Sequence, residues 1–477
     1  NFIVNNKNNS NKIIFSTYQS LDKIVEAVKY DNNNNITFDL SIADEAHRTA
    51  GLFKSNFNLI HDDRNIKVNK RLYMTATPRV VGNNVKDRLN NINEGNEYIY
   101  DMSDINIFGN VVYKMSFKDA IAEGILTDYK ILAVGVSDDD IHNYIKSNEH
   151  INLNSEYTIG DIANNFALNL VMNSYNLKHS ITFHSTIKKA RDFTKRNKIL
   201  FNNNNNNIIN SYHINGNMSS TEKQEIIDNF KKENNTTSTI SNARCLSEGI
   251  DIPAVDLVYF CDTKNSKIDI IQAIGRALRI TKDKTKGYIV VPIYHNSINN
   301  LEEEINISSF ERLVNIVRAM SEEDSRLTEE IRNIVYRNNS YYNSNNNSNN
   351  NNNNYSYKHN NSNNILNIVN TKELIDTDKI DNMLSLVNFN NDKLKNSLFI
   401  QLIDKSTSSW DKMYVKVKEF VERNNRLPKY NKKYKENNVV ENSLHNWLRN
   451  QKANFKNSRL VQERIELLFS ITVRTNI

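Results

Sequence analysis

Cysteine is almost missing: Cys245 and Cys261 are the only two in 477 residues. That excludes a disulfide framework and points to a reducing compartment, and the pair lacks the ligand spacing of a zinc site. Long hydrophobic runs are missing too. No stretch reaches transmembrane length, so no membrane partner is expected. Glycine is scarce, with eleven residues, and none is followed by lysine. The phosphate-cradling loop G-x-x-x-x-G-K-[ST] is therefore not written in this chain. The first residue is Asn1. Together these two facts suggest a chain that begins inside its first domain, so the lack of a signal peptide carries little weight. The alternative is a protein that never had such a loop.

What is abundant is asparagine, which holds the hydrophobic share to 38%. Residues 202–207 are an unbroken Asn run, and 338–364 is almost all Asn, Ser and Tyr. Such tracts cannot bury enough apolar surface to offset chain ordering, so a disordered linker is expected over 337–364. The net charge of +6 is uneven: residues 409–477 carry 15 Lys and Arg against 7 Asp and Glu, leaving the rest slightly negative. A basic C-terminal segment is the footprint of a polyanion binder, although a solvated lysine-rich surface reads the same way.

Strand-like and helix-like stretches alternate twice along the chain. Ile13-Ile14-Phe15, Phe38 to Ala43 and Arg71 to Met74 read as strands around a helix on Leu21, Ile24, Val25 and Val28. A second block runs from about Ile159 to Pro292, and an amphipathic helix is expected over Ser308–Tyr336. Alternation of this kind implies parallel sheets with functional loops at the strand C-termini. Three short amphipathic stripes near the C-terminus, with both tryptophans, suggest a small helical bundle.

The chemistry-bearing tetrapeptides fall at strand tips. Asp44-Glu45-Ala46-His47 ends the second strand, and a carboxylate pair there suits a Mg-nucleotide site: one acid for the metal, one to orient the attacking water. An acidic helix cap would look the same. Thr75-Ala76-Thr77-Pro78 follows the next strand. In Gln272-Ala273-Ile274-Gly275-Arg276-Ala277-Leu278-Arg279, two arginines three residues apart can neutralise charge developing on a phosphoryl group.

In this order the motifs resemble a nucleic-acid helicase motor of the DEAD/DEAH-box superfamily. The resemblance implies an α/β fold of two RecA-like doubly wound parallel-sheet domains, the first incomplete, plus a small C-terminal α-helical domain. It implies ATP and Mg²⁺ as cofactors, with Asp44 on the metal and Glu45 on the water. His47, Thr75 and Thr77 would couple hydrolysis to movement, while Gln272, Arg276 and Arg279 would complete the ATP site. Ser16 to Ser20, with Thr17 and Gln19, resembles a segment that contacts the nucleic-acid backbone, and local helix capping is as good a reading. Phe183-His184-Ser185-Thr186 and the long stretch Ser241 to Pro253 match second-domain motifs. Ser185, Thr186 and Arg244 would face the tracked strand, and Gly249 and Asp251 the nucleotide.

Phe108 to Tyr113 and Gly124 to Tyr129 resemble the connector of a branch related to restriction-enzyme motor subunits, which tilts the expected substrate toward DNA over RNA. Residues 410–469 resemble a helicase-associated domain, departing from it at Asn425 and Glu441-Asn442 where glycines are usual. There Lys429, Lys432, Lys433, Arg449 and Lys452 would surround Tyr430 and Trp447, offering phosphate neutralisation and base stacking, unless Trp447 is simply core. The expected divisions are 1–105, a connector at 106–150, a second motor domain at 151–336, the Asn-rich linker at 337–364, a helical linker at 365–408 and the associated domain at 409–472. The expected activity is an intracellular ATP-dependent helicase or translocase, in cytoplasm or nucleus alike. A motor that only binds nucleic acid is the alternative, and no nuclease constellation is evident.

Overall fold

The computed structural model describes residues 12–30, 36–52, 56–80, 99–147, 158–201, 209–232, 236–243, 255–262, 266–281, 284–295, 307–348, 380–389, 391–431, 439–457 and 459–473. The chain forms two compact units, residues 1–114 and 115–477.

In the first unit, α1 (Leu21–Lys29) buries Leu21, Val25 and Val28. Leu21 and Val25 belong to an apolar cluster with Ile60, Ile66 and Val68. β1 (Phe38–Ala43) pairs in parallel with β3 (Val68–Tyr73), from Phe38 opposite Val68 to Ala43 opposite Tyr73. Between them β2 (Gly51–Leu52) pairs antiparallel with β4 (Ile99–Tyr100). The turn α2 (Ile105–Phe108) sets Phe108 against His61 and Tyr73. The expected strand Ile13-Ile14-Phe15 is not one. Ile13 and Phe15 are 76% and 92% exposed, and β1 pairs only with β3 among the described residues. An apolar triplet becomes a strand only when a ladder partner takes up its backbone groups.

The second unit opens with α3 (Phe117–Ala122), β5 (Asp128–Ser137), α4 (Asp138–Ser147) and α5 (Ile159–Ser174). β6 (His179–Phe183), α6 (Ile187–Phe201), β7 (Ile209–Ile214), α7 (Ser220–Lys232) and β8 (Thr237–Asn242) follow. Then come β9 (Leu257–Phe260), α8 (Lys267–Ala277), β10 (Lys286–His295), α9 (Ile307–Glu323) and α10 (Ser325–Ser348). After residue 379 the chain returns as β11 (Leu384–Val387) and α11 (Asp392–Ser406). All ladders are parallel, in the order β11-β5-β10-β9-β6-β8-β7.

Successive residues of β5 are buried on opposite faces of the sheet. Tyr129, Ile131 and Ala133 join the cluster covered by α7 to α11, whereas Leu132, Val134 and Val136 join the one covered by α4 to α6. Both faces are thus buried, which is why these strands read as continuous apolar runs.

Three expectations change here. The stretch assigned to a connector contains β5, which pairs with β10 over all ten of its residues and belongs to this sheet. The stretch assigned to a helical linker contains β11, an edge strand on β5, and α11, which packs on α9. The single helix expected over 308–336 is two. Asp324, fully buried, interrupts it and accepts the Arg326 backbone N–H (2.9 Å) together with the Arg326 guanidinium (2.7 Å).

α12 (Ser409–Asn424), α13 (Val439–Lys456) and α14 (Gln462–Val473) form the C-terminal bundle around Tyr414, Val415, Val417, Val421, Leu444 and Ile471. α10 belongs to both cores: Leu327, Ile331 and Ile334 face the sheet cluster, and Val335 and Tyr336 pack on the bundle. Arg332, nearly buried, reaches Asp411 (2.9 Å) and Glu463 (3.3 Å). Among the described residues no helix is long and apolar enough to cross a membrane.

Gly287 lets α8 lie close on β10, because a Cβ there would overlap the Ala277 carbonyl. A Cβ at Gly275 would meet nothing within 4 Å. Gly287→Ala is therefore expected to destabilise the second unit by about 1–3 kcal/mol. Gly275→Ala should be neutral or stabilising by up to about 1 kcal/mol, from helix propensity alone. Thermal unfolding of the two variants compares them directly, and equal midpoints would reject the close packing.

Candidate functional site

β1 delivers Asp44 and Glu45 to its C-terminal tip, where a ladder can no longer use the backbone. Glu45 takes a left-handed conformation (φ 50°, ψ 45°), which is strained for a residue with a Cβ and caps the one-turn helix Ala46–Thr49. Asp44 stays exposed, with its Oδ1 accepting the Glu45 N–H (2.9 Å). His47 is 7% exposed, with Nδ1 3.2 Å from Glu45 Oε2 and 3.1 Å from Thr75 Oγ1. The Thr75 hydroxyl is also 3.2 Å from both the N–H and the carbonyl of Thr77. The Ala46 N–H donates to the Met74 carbonyl (2.8 Å) and the Met74 N–H to the Ala43 carbonyl (2.9 Å). Acid motif and threonine motif are thereby one hydrogen-bonded unit, as their positions on adjacent parallel strands require.

Thr17 and Gln19 lie exposed beside this cluster. Thr17 Oγ1 donates to Ser20 Oγ (3.1 Å), a local turn contact, whereas Tyr18 between them donates its phenol to the Asp44 carbonyl (2.5 Å). Burial, reinforced by the charges of Asp44 and Glu45, pushes the Tyr18 phenol up to about 12. Tyr18 is a link that the motif reading missed.

In the second unit, Ser185 and Thr186 follow β6. Thr186 Oγ1 accepts the Lys189 N–H (3.2 Å) at the start of α6, and Ser185 donates both its N–H (2.9 Å) and its hydroxyl (3.0 Å) to Asp262. Lys189 Nζ reaches the other Asp262 oxygen at 2.8 Å. Burial acts to raise the Asp262 carboxyl, but the Lys189 and Ser185 donors outweigh it and hold it below the usual carboxylate range. Asp262 had no motif to reveal it; the only signal is an acid placed directly after the buried run ending at Cys261. His184 is enclosed, with Nε2 2.9 Å from Thr182 Oγ1 and 3.6 Å from Cys261 Sγ. Burial pushes it down to about 3.

Gln272, at the middle of α8, and Arg276, in its last turn, stand one turn apart, and Arg276 is 7% exposed. Arg279 is not on the helix, which is capped at Leu278, and it lies exposed in the following turn. The Leu278 carbonyl accepts the Thr127 N–H (2.8 Å). Lys284 Nζ donates to the carbonyls of Val255 (2.5 Å), Ala277 and Arg279 (3.3 Å). Burial pushes this lysine down to about 8. Lys284 thus pins the arginine turn, another residue no motif disclosed. Arg449 is exposed on α13. Arg244, Gly249, Asp251, Lys432 and Lys433 lie outside the described residues.

The sequence matches the family "Type III restriction enzyme, res subunit" over residues 2–80, "Helicase conserved C-terminal domain" over 164–281 and "Helicase associated domain" over 407–476. Together these domains support a superfamily 2 helicase with a restriction-like motor domain. The chain is 24% identical over 326 residues to "Probable helicase A859L" of African swine fever virus. That match spans 68% of this chain and 32% of the relative, so the chain covers about a third of the length of the curated relatives it matches first. In fold it is similar to the ATP-dependent Type ISP restriction-modification enzyme LlaBIII bound to DNA, with a TM-score of 0.59 and 24% identity over 86% of this chain and 26% of that one.

The buried His184 generates a pH prediction. Its folded value near 3 lies below the ordinary 6.5, so between these pH values the unfolded chain binds a proton that the folded chain refuses. Stability of the second unit should therefore fall as pH drops from about 6.5 toward 3. His184→Gln, which does not titrate, is expected to flatten that slope. Unfolding midpoints across this range measure both slopes, and an unchanged slope rejects His184 as the source.

Proposed function

We propose that this chain is the motor part of an ATP-dependent helicase or translocase acting on nucleic acid, with DNA favoured. The observation that carries the reading is the His47–Thr75 bond, which ties a strained strand-tip carboxylate to the threonine motif in one cluster. Turnover would draw on Asp44 and Glu45 of the first unit and on Gln272, Arg276 and Arg279 of the second. Asp44 offers an exposed carboxylate at the strand tip, and Mg²⁺ takes one or two carboxylates alongside substrate phosphates, so the residue present suits that ion. When bound, Mg²⁺ would supply charge neutralisation on the phosphates. The exposed Asp44 would hold it, and Glu45, fixed by its left-handed backbone and by His47, would orient water. The match to a restriction-enzyme subunit over residues 2–80 supports DNA as substrate. A reducing intracellular compartment accords with the two thiols.

A second reading is binding without turnover, favoured by the lack of any Gly-Lys pair in the 477 residues. One experiment separates the two. ATP hydrolysis is measured with and without single-stranded DNA, duplex DNA and RNA, beside Glu45→Gln. The motor reading expects nucleic-acid-stimulated turnover that falls by about 10²–10⁴-fold in Glu45→Gln with nucleotide binding kept. The binding-only reading expects no turnover but affinity that falls steeply with salt. Turnover undiminished in Glu45→Gln removes Glu45 from the mechanism.

A further inference from the structure

We infer that the C-terminal bundle carries a nucleobase pocket on α13, built to hold one unpaired base of a single strand while a neighbouring row of cations takes its phosphates. This rests on the proposed nucleic-acid binding but not on ATP turnover.

The site is a groove of about 580 Å³ lined by Tyr430, Trp447, Asn446, Asn450 and Met413. Its rim is stitched in place. The Asn431 N–H donates to Asn442 Oδ1 (2.8 Å), and Asn442 Nδ2 returns a bond to the Asn431 carbonyl (3.2 Å). Glu441 accepts the Lys429 N–H (2.8 Å) and pairs with Arg426 (2.5 Å), while His445 Nδ1 lies 3.1 Å from the Pro428 carbonyl. Tyr430 is therefore carried by a segment pinned on both sides, which is the preorganisation a binding aromatic needs. Tyr430 is 45% exposed.

The two tryptophans differ in a way that marks the site. Trp410 is spent on structure: its indole N–H donates to Gln451 (3.0 Å), it stacks on Tyr414 (5.4 Å, 8°), and Arg464 covers it at 4.8 Å. Trp447 meets Trp410 on one side (5.5 Å) and the groove on the other. Neither its indole N–H nor the amides of Asn446 and Asn450 has a hydrogen-bond partner among the described residues. A primary amide offers a donor and an acceptor together, which is what a base edge presents, and the aromatic rings offer stacking surface.

Helix geometry supplies the rest. Asn442, Asn446 and Asn450 follow one face of α13 at i, i+4 and i+8. Leu444, Leu448 and Gln451 mark the inward face, whereas Arg449, Lys452 and Lys456 at i, i+3 and i+7 line the face on the groove's other flank. These three are exposed, with no ion pair among the described residues. Base-binding and phosphate-binding surfaces thus run side by side along one helix, in a segment of strong positive charge.

Because Trp410 and Trp447 are the only tryptophans, Trp410→Phe makes Trp447 the sole indole reporter. The full chain carrying that change is titrated, without ATP, with a homothymidine strand, a duplex and an abasic strand of equal length, following indole fluorescence and strand anisotropy. Saturable quenching by the single strand is expected. Tyr430→Ala and Asn446→Ala should each weaken it about tenfold, Tyr430→Phe should restore stacking, and the abasic strand should bind about tenfold more weakly with little quenching. Equal quenching by duplex or abasic strand overturns the pocket. So does anisotropy-detected binding with Trp447 unquenched, which leaves the proposed function standing. Absence of any binding overturns both.

Discussion

A parallel sheet covered on both faces leaves the ends of its strands as the places for polar chemistry. That constraint organises the second unit. Tyr129 and Leu132 of one strand point into opposite cores, so neither face can host a ligand. The groups with hydrogen-bonding capacity gather at strand ends: Ser185 beyond β6 and Asp262 beyond β9 where strands stop, and the arginine turn at the opposite end, beside Thr127 and Val255 where β5 and β9 are about to begin. The first unit obeys the same rule on a smaller scale, with Asp44 and Glu45 at the tip of β1 beside the threonines that follow β3.

Strand tips alone do not fix a site; cross-links do. Asp262 gathers β6, α6 and β9 by accepting from Ser185 and Lys189, and Lys284 holds three carbonyls at the end of α8 and the start of β9. Such residues convert loops into fixed scaffolding because each buried charge must be surrounded by donors or acceptors. Glu45 contributes a different kind of constraint: its left-handed backbone persists only because neighbours over-determine it.

Much of this was legible in the sequence. The strands of the second sheet announce themselves because burial on both faces demands apolar runs, and the motif residues fall at their ends. β11 was hidden by its four-residue length and by the Asn tract separating it from its partner strand. The break at Asp324 carries neither glycine nor proline; it needs a buried carboxylate matched to Arg326, which composition cannot display. Asp262 and Lys284 act across 77 and 29 residues of sequence, beyond any local pattern. Ile13 and Phe15 misled because apolar spelling alone does not supply a ladder partner. Asn425, where the associated domain usually has glycine, still adopts the left-handed cap of α12 (φ 51°), since asparagine tolerates that region.

α10 has one flank in the sheet core and the other in the bundle, with Arg332 bolted to Asp411 and Glu463. A shaft shared by two cores cannot hinge at its middle without opening both. The three C-terminal helices are therefore fixed to the sheet of the second unit, and the groove on α13 is held with that sheet instead of hanging from it as a tethered accessory.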